Sequence, residues 1–124
     1  MNQFELLKSK LILGNATIGV IGLGYVGLPL AHAMYVGGFK VLGFDIDSRK
    51  IDSIEKGENY LRHLGDEMVK DLSSTKNFTG TTDFSQLSEP DAIIVCVPTT
   101  LCLFLLQKWR RLQKYLKMSF VQSI

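Results

Sequence analysis

The sequence predicts an α/β fold in three layers, a partial, doubly wound parallel sheet with helices packed against it. Two features predict it: short β-branched apolar runs alternate with helical stretches, and the connections between them are only a few residues long. Strands and helices alternating over such short links imply parallel pairing through right-handed crossovers.

Thr17-Ile-Gly-Val-Ile21 is nearly all apolar, as expected of a central first strand buried on both faces. A glycine-rich turn, Gly22 to Gly27, follows it. Leu28, Leu30, Ala31, Ala33, Met34 and Tyr35 then make a largely apolar helix, with Pro29 suited to its first turn and Gly37 and Gly38 to its end. Lys40–Phe44 reads as the second strand through Val41, Leu42 and Phe44. Ser48 is the expected N-cap of a helix running through Lys56, with Ile51 and Ile54 on its inner face and Gly57 as its stop. A helix over residues 66–72, a strand near Phe78–Thr81 and the apolar run 92–97 complete a sheet of at least four parallel strands.

The chain has 124 residues, which suits one core, and an apolar fraction of 46% with 21% charged residues excludes disordered and disulfide-dense classes. The formal net charge of +2 is unevenly distributed. Residues 101–124 hold Lys108, Arg110, Arg111, Lys114 and Lys117 without an acid, which leaves nine basic against twelve acidic side chains in residues 1–100. A mildly acidic body is a poor partner for phosphate backbones, so nucleic-acid binding is not expected. The first 14 residues lack an uninterrupted apolar core for a signal peptide, and no apolar run is long enough for a spanning helix; a cytoplasmic location is expected.

The spacing Gly22-Leu23-Gly24-Tyr25-Val26-Gly27 carries the chemistry. Gly22 allows the tight turn out of the strand, Gly24 lets the backbone approach a pyrophosphate, and Gly27 allows helix to pack closely on sheet. The anion then meets a helix N-terminus with outward-pointing N–H groups. Asp45 closes the second strand eighteen residues after Gly27, where a carboxylate can accept hydrogen bonds from both ribose hydroxyls of an adenosine. The fold expected is therefore of Rossmann type and the ligand a dinucleotide. Asp45 would repel the extra phosphate of NADP, which favours NAD, although Arg49 and Lys50 are cations of the kind that accept that phosphate. Asp47 reads as a turn or helix-start carboxylate.

Three segments resemble the N-terminal domain of the UDP-glucose/GDP-mannose dehydrogenase family: Gly22-Leu-Gly-Tyr-Val-Gly-Leu-Pro-Leu30, Gly43-Phe-Asp-Ile-Asp47 with Lys50, and Val95-Cys-Val-Pro-Thr99. The segments Gly57-Glu-Asn-Tyr-Leu-Arg-His-Leu64 and Thr81-Thr-Asp-Phe84 most resemble the bacterial branch that oxidises UDP-N-acetylhexosamines. The resemblance spans about residues 17–99 and implies NAD-dependent oxidation of a sugar C6 alcohol to a carboxylate in two hydride transfers. Carried onto this chain, it sets Tyr25 and Val26 along the pyrophosphate, Asp45 on the adenosine ribose and Lys50 beside it. Val97, Pro98 and Thr99, at the end of the fourth strand, would face the nicotinamide side.

Thr100 stands where the family usually has a second proline, and nothing after Leu101 resembles the continuation. The family's catalytic cysteine and lysine and its sugar-nucleotide domain have no counterpart here, and neither Cys96 nor Cys102 matches the catalytic position. No catalytic residue or metal ligand is therefore assigned, and the UDP-sugar is expected as substrate only in a full-length parent. Residues 1–100 are the expected NAD-binding domain, while residues 101–124 read as a basic tail, the mark of a truncated or frame-shifted product. If that tail is helical, Leu105, Trp109, Leu112, Leu116 and Phe120 share a face opposite the cations, which leaves an anionic membrane or an exposed apolar surface as alternative partners. The rival functions are a non-enzymatic NAD-binding or interaction module and another Rossmann dehydrogenase, such as one acting on hydroxyacids. His32 and His63 lack companion ligands and read as packing or surface residues.

Overall fold

The computed structural model describes residues 2–62 and 64–97, together with the backbone of residues 120–123. In chain order the elements are α1 (Gln3–Leu13), β1 (Thr17–Ile21), α2 (Gly27–Val36), β2 (Lys40–Phe44), α3 (Ser48–Lys56), α4 (Asp66–Ser74), β3 (Phe78–Thr81), a 3₁₀ turn (Phe84–Ser88), β4 (Ala92–Val95) and β5 (Phe120–Ser123). The strands form one sheet in the order β3-β2-β1-β4-β5, and every pairing is parallel. β1 is central as expected, with Gly19 opposite Leu42 on one side and Ile93 on the other.

Side chains alternate across the pleat, so each strand feeds two cores. Ile18, Val20, Val41 and Phe78 face one side, where they meet Leu28 and Ala31 of α2, Ile51 and Ile54 of α3, and Val69 and Leu72 of α4. Ile21, Leu42, Phe44, Ile93 and Val95 face the other, and Leu87 of the 3₁₀ turn closes over them. The three layers are thus unequal. Among the described residues, three helices cover one face and a single 3₁₀ turn the other, with the Phe44 and Phe84 rings 5.8 Å apart beneath it.

Several boundaries differ from the sequence expectation, each for a local reason. Asp47, not Ser48, caps α3: its carboxylate accepts the Arg49 N–H at 3.0 Å, and Ser48 is the first helical residue. β4 is shorter than the run 92–97 and stops at Val95, one residue before the Cys96 N–H makes the last bond to β1, to the Ile21 carbonyl at 2.7 Å. α4 runs two residues past Leu72 to Ser74, where Ser73 and Ser74 hydroxyls fold back on the Lys70 and Asp71 carbonyls.

Two elements were not expected. α1 has no buried residue and no apolar stripe to announce it; Asn2 caps it by accepting the Glu5 N–H, and Gly14 ends it in the left-handed conformation. Its Lys10 ammonium lies 2.7 Å from Asp91, whose other carboxylate oxygen accepts the Thr17 N–H, so the helix is fastened where β1 and β4 begin. β5 places Phe120 in a strand with Ala92 as its register partner, which corrects the assignment of Phe120 to a helical face. The remainder of the basic tail, with Cys102, lies outside the described residues, as does His63.

Leu87 is fully buried in the smaller core. Replacing it with alanine is expected to lower unfolding free energy by about 2–4 kcal/mol, measured by urea denaturation. A loss below about 1 kcal/mol would show that this face does not depend on the 3₁₀ turn.

Candidate functional site

The site lies where β1 ends and the sheet order changes direction, with β2 leading one way and β4 the other. Such a switch point opens a crevice at the carboxyl ends of the strands. Gly22 leaves β1 with φ +94° and donates its N–H to the Phe44 carbonyl at 2.7 Å. A Cβ here would collide with the Cys96 carbonyl oxygen, and a Cβ at Gly27 would collide with the Gly22 carbonyl. These two glycines are required by the protein's own packing. Gly24 differs, because a Cβ there would meet no atom within 4 Å. No internal contact demands glycine at that position, whereas an approaching ligand would.

Leu23 divides its roles. Its side chain is fully buried, and a Cβ on Gly43 would come within 3.0 Å of its methyl carbon, so the side chain belongs to the core. Its N–H donates to Asp45 Oδ2 at 2.9 Å, while Asp45 Oδ1 accepts the Asp47 N–H at the same distance. Asp45 is 6% exposed, the one buried charged residue among those described, and two of its roughly four lone-pair positions remain for further donors. Tyr25 and Val26 are exposed on the turn ahead of α2, the Leu28 N–H is taken by the Gly24 carbonyl, and Pro29 brings no N–H to the first turn.

The cations beside the acid are already engaged. Lys50 Nζ stands 3.7 Å from Asp45 Oδ2, and Arg49 donates from Nε and Nη2 to Asp47 at 3.0 and 3.1 Å. The hydrogen bonds from Arg49 hold the Asp47 carboxyl below the usual carboxylate range and raise the guanidinium in turn. Val97 is half-buried beside Gly22, within 3.0 Å of where a Cβ on that glycine would sit. Pro98 and Thr99 lie outside the described residues. The structure thus brings together the glycine turn, Asp45, Lys50 and Val97.

Sequence reasoning singled out residues 57–64 only for their family resemblance and missed their contact with the glycine turn. Tyr60 Oη donates to the Leu23 carbonyl at 2.6 Å, and Tyr25 Oη accepts the Arg62 N–H at 3.1 Å. The signal available was an Asn-Tyr pair just after a helix-ending glycine, which does not by itself say where the phenol points. Cys96 is half-buried with its thiol pushed up by desolvation, which leaves it a poor nucleophile. His32 pairs with Asp71 at 3.1 Å and ties α2 to α4, a packing role as expected. Among the described residues there is no cluster of three metal-ligating side chains and no helix long and apolar enough to cross a membrane.

Residues 16–102 match the model of the UDP-glucose/GDP-mannose dehydrogenase family, NAD binding domain. The chain belongs to this family. UDP-N-acetyl-D-mannosamine dehydrogenase of Methanococcus maripaludis is 39% identical over 83 residues, which cover 66% of this chain and 19% of that protein. The GDP-mannose dehydrogenase of Pseudomonas aeruginosa, solved as a ternary complex, superposes with a TM-score of 0.62 and 34% identity, covering 66% of this chain and 19% of the other. The NDP-N-acetyl-D-galactosaminuronic acid dehydrogenase of Methanosarcina mazei superposes over 99% of this chain and 30% of its own, with a TM-score of 0.75 and 28% identity. The chain therefore spans about a fifth of the length of such curated relatives. It carries the family's Rossmann-type α/β fold and its NAD-binding domain.

The three glycines separate packing from ligand access. Gly22→Ala should cost at least about 2 kcal/mol of stability, through the collision with Cys96 and the positive φ. Gly24→Ala should stay within about 0.5 kcal/mol of the wild type. Parallel denaturation curves check both, and equal losses would contradict the geometry.

Proposed function

We propose that this chain is the NAD-binding portion of a dehydrogenase that oxidises the C6 alcohol of a nucleotide sugar, a UDP-sugar, to a carboxylate. The observation that carries the proposal is Asp45, a buried carboxylate held against the Leu23 N–H beside a turn whose second glycine leaves bare backbone facing outward. A dinucleotide needs those two features together: a double acceptor for ribose hydroxyls and an unobstructed backbone for pyrophosphate.

In this reading Asp45 uses its remaining lone pairs for the adenosine ribose, and Lys50 partly balances its charge. Tyr25 and Val26 lie along the pyrophosphate at the head of α2, where the helix dipole favours negative charge. Val97, with Pro98 and Thr99 after it, flanks the nicotinamide side beyond β4. Bound NAD+ would supply hydride acceptance, twice per sugar, as the C6 alcohol is taken to the carboxylate. No residue of this chain is assigned to the oxidation itself.

Two relatives support the substrate class: one is named for UDP-N-acetyl-D-mannosamine and another, from Pseudomonas syringae, for GDP-mannose. The resemblance of residues 57–64 to the UDP-N-acetylhexosamine branch favours the UDP-sugar, and a cytoplasmic site of action goes with NAD and nucleotide-sugar supply. Both cations near the acid are tied to carboxylates, Lys50 to Asp45 and Arg49 to Asp47, which disfavours a ribose 2′-phosphate and supports NAD over NADP.

Isothermal titration tests the reading. The chain should bind NAD saturably and NADP at least about tenfold more weakly, and Asp45→Ala should reduce NAD affinity by about tenfold or more. Gly24→Ala should keep its fold and lose NAD. A folded wild type that fails to bind, or Asp45→Ala binding as tightly as the wild type, would overturn the proposal.

A further inference from the structure

The segment joining α3 to α4 crosses the glycine turn and grips it at two points. Tyr60 donates its hydroxyl hydrogen to the Leu23 carbonyl at 2.6 Å, and two residues later the Arg62 N–H donates to Tyr25 Oη at 3.1 Å. Leu61 between them is buried in the main core. Asn59 braces the segment from within: its Oδ1 accepts the Leu61 N–H at 2.9 Å, and its Nδ2 donates to the Leu64 carbonyl at 2.6 Å and to Asp66 Oδ1 at 3.1 Å. The grip therefore comes from an anchored piece of chain.

The Leu23 carbonyl and the Gly24 N–H are opposite ends of one planar trans peptide, so fixing the carbonyl fixes the direction of the amide. The preceding peptide is already held, because the Leu23 N–H is on Asp45. Gly24 has no side chain, a Cβ there would meet no atom within 4 Å, and its carbonyl accepts the Leu28 N–H at 3.0 Å. That bond holds its carbonyl, while the direction of its N–H is set through the Leu23–Gly24 peptide.

We infer that Tyr60 is a positioning residue of the cofactor site: by holding the Leu23 carbonyl it sets the Leu23–Gly24 peptide and the course of the backbone that meets the dinucleotide pyrophosphate. This rests on the NAD-binding reading given above. The acid and the phenol divide the work, Asp45 orienting the peptide that enters Leu23 and Tyr60 the peptide that leaves it. Burial and the neighbouring Asp45 charge push the Tyr60 phenol far above its ordinary value, so the hydroxyl keeps its proton and stays a donor at neutral pH.

Tyr60→Phe removes the hydroxyl and keeps the ring, and three ligands separate the outcomes. Amide spectra of the full chain should show the Gly24 resonance displaced in the free variant while the remaining spectrum stays dispersed. In titrations the variant should bind NAD and ADP about tenfold more weakly than the wild type, yet bind adenosine, which carries no phosphate, equally well. Unchanged NAD and ADP affinity would overturn the inference while leaving the NAD-binding reading intact. An equal loss for adenosine, or a collapsed spectrum, would assign Tyr60 to general structure and overturn its positioning role. A wild type with a dispersed spectrum that bound neither NAD nor ADP would overturn the underlying reading and this inference with it.

Discussion

The hydrogen bond from the Leu23 N–H to the Asp45 carboxylate is the constraint on which the site depends. It joins Leu23, the second residue after β1, to Asp45, the residue that follows β2, twenty-two positions apart in sequence. A carboxylate this deeply buried is costly unless its oxygens are satisfied, and backbone N–H groups satisfy both. The same bond that makes the charge tolerable also draws the glycine turn against the end of the second strand. If Asp45 holds the cofactor as proposed, stability and function are not in competition there, because the interaction that shelters the charge also shapes the turn.

The two cores explain why this turn can be built so tightly. Leu23 sits at the top of the larger core, filling the space left by Gly43, while Gly22 and Gly27 let strand, turn and helix close to backbone contact. Three helices hold that face, so the turn is braced from beneath. The smaller core beneath Leu87 stabilises the opposite side of the same strands and reaches Gly22 through Val97.

What could be read from the sequence followed burial. Thr17–Ile21 and Lys40–Phe44 were legible because strands flanked on both sides are mostly apolar, and turn glycines punctuate them. The glycine spacing and Asp45 were legible because sterics and charge leave few residue types able to do those jobs. α1 was not legible, since a helix with Phe4, Ile12 and Leu13 exposed has no apolar stripe facing a core, and its evidence lies in caps and one ion pair. Ser48 and Asp47 are both good caps, and only the backbone angle at Asp47 decides between them. Tyr60 was hidden for a different reason: a phenol in a loop gains its meaning from a carbonyl thirty-seven residues away. β5 was obscured by a basic, helix-compatible composition that local pattern favours and pairing with β4 overrides.

The strand order has a consequence for the way the chain assembles. β1, β2 and β3 all precede β4, and their pairings can form as soon as the intervening helices are made. The other neighbour of β1 comes much later: Thr17 and Asp91, which mark the start of that pairing, are separated by seventy-four residues. Contacts over such separations are slow to form, because closing the loop costs entropy before pairing returns any. On a ribosome, then, half of the sheet is ready while the glycine turn still lacks the Cys96 carbonyl and Val97 against which Gly22 rests. The crevice beyond β1 is consequently a late product of folding, completed only when β4 docks along the open side of β1.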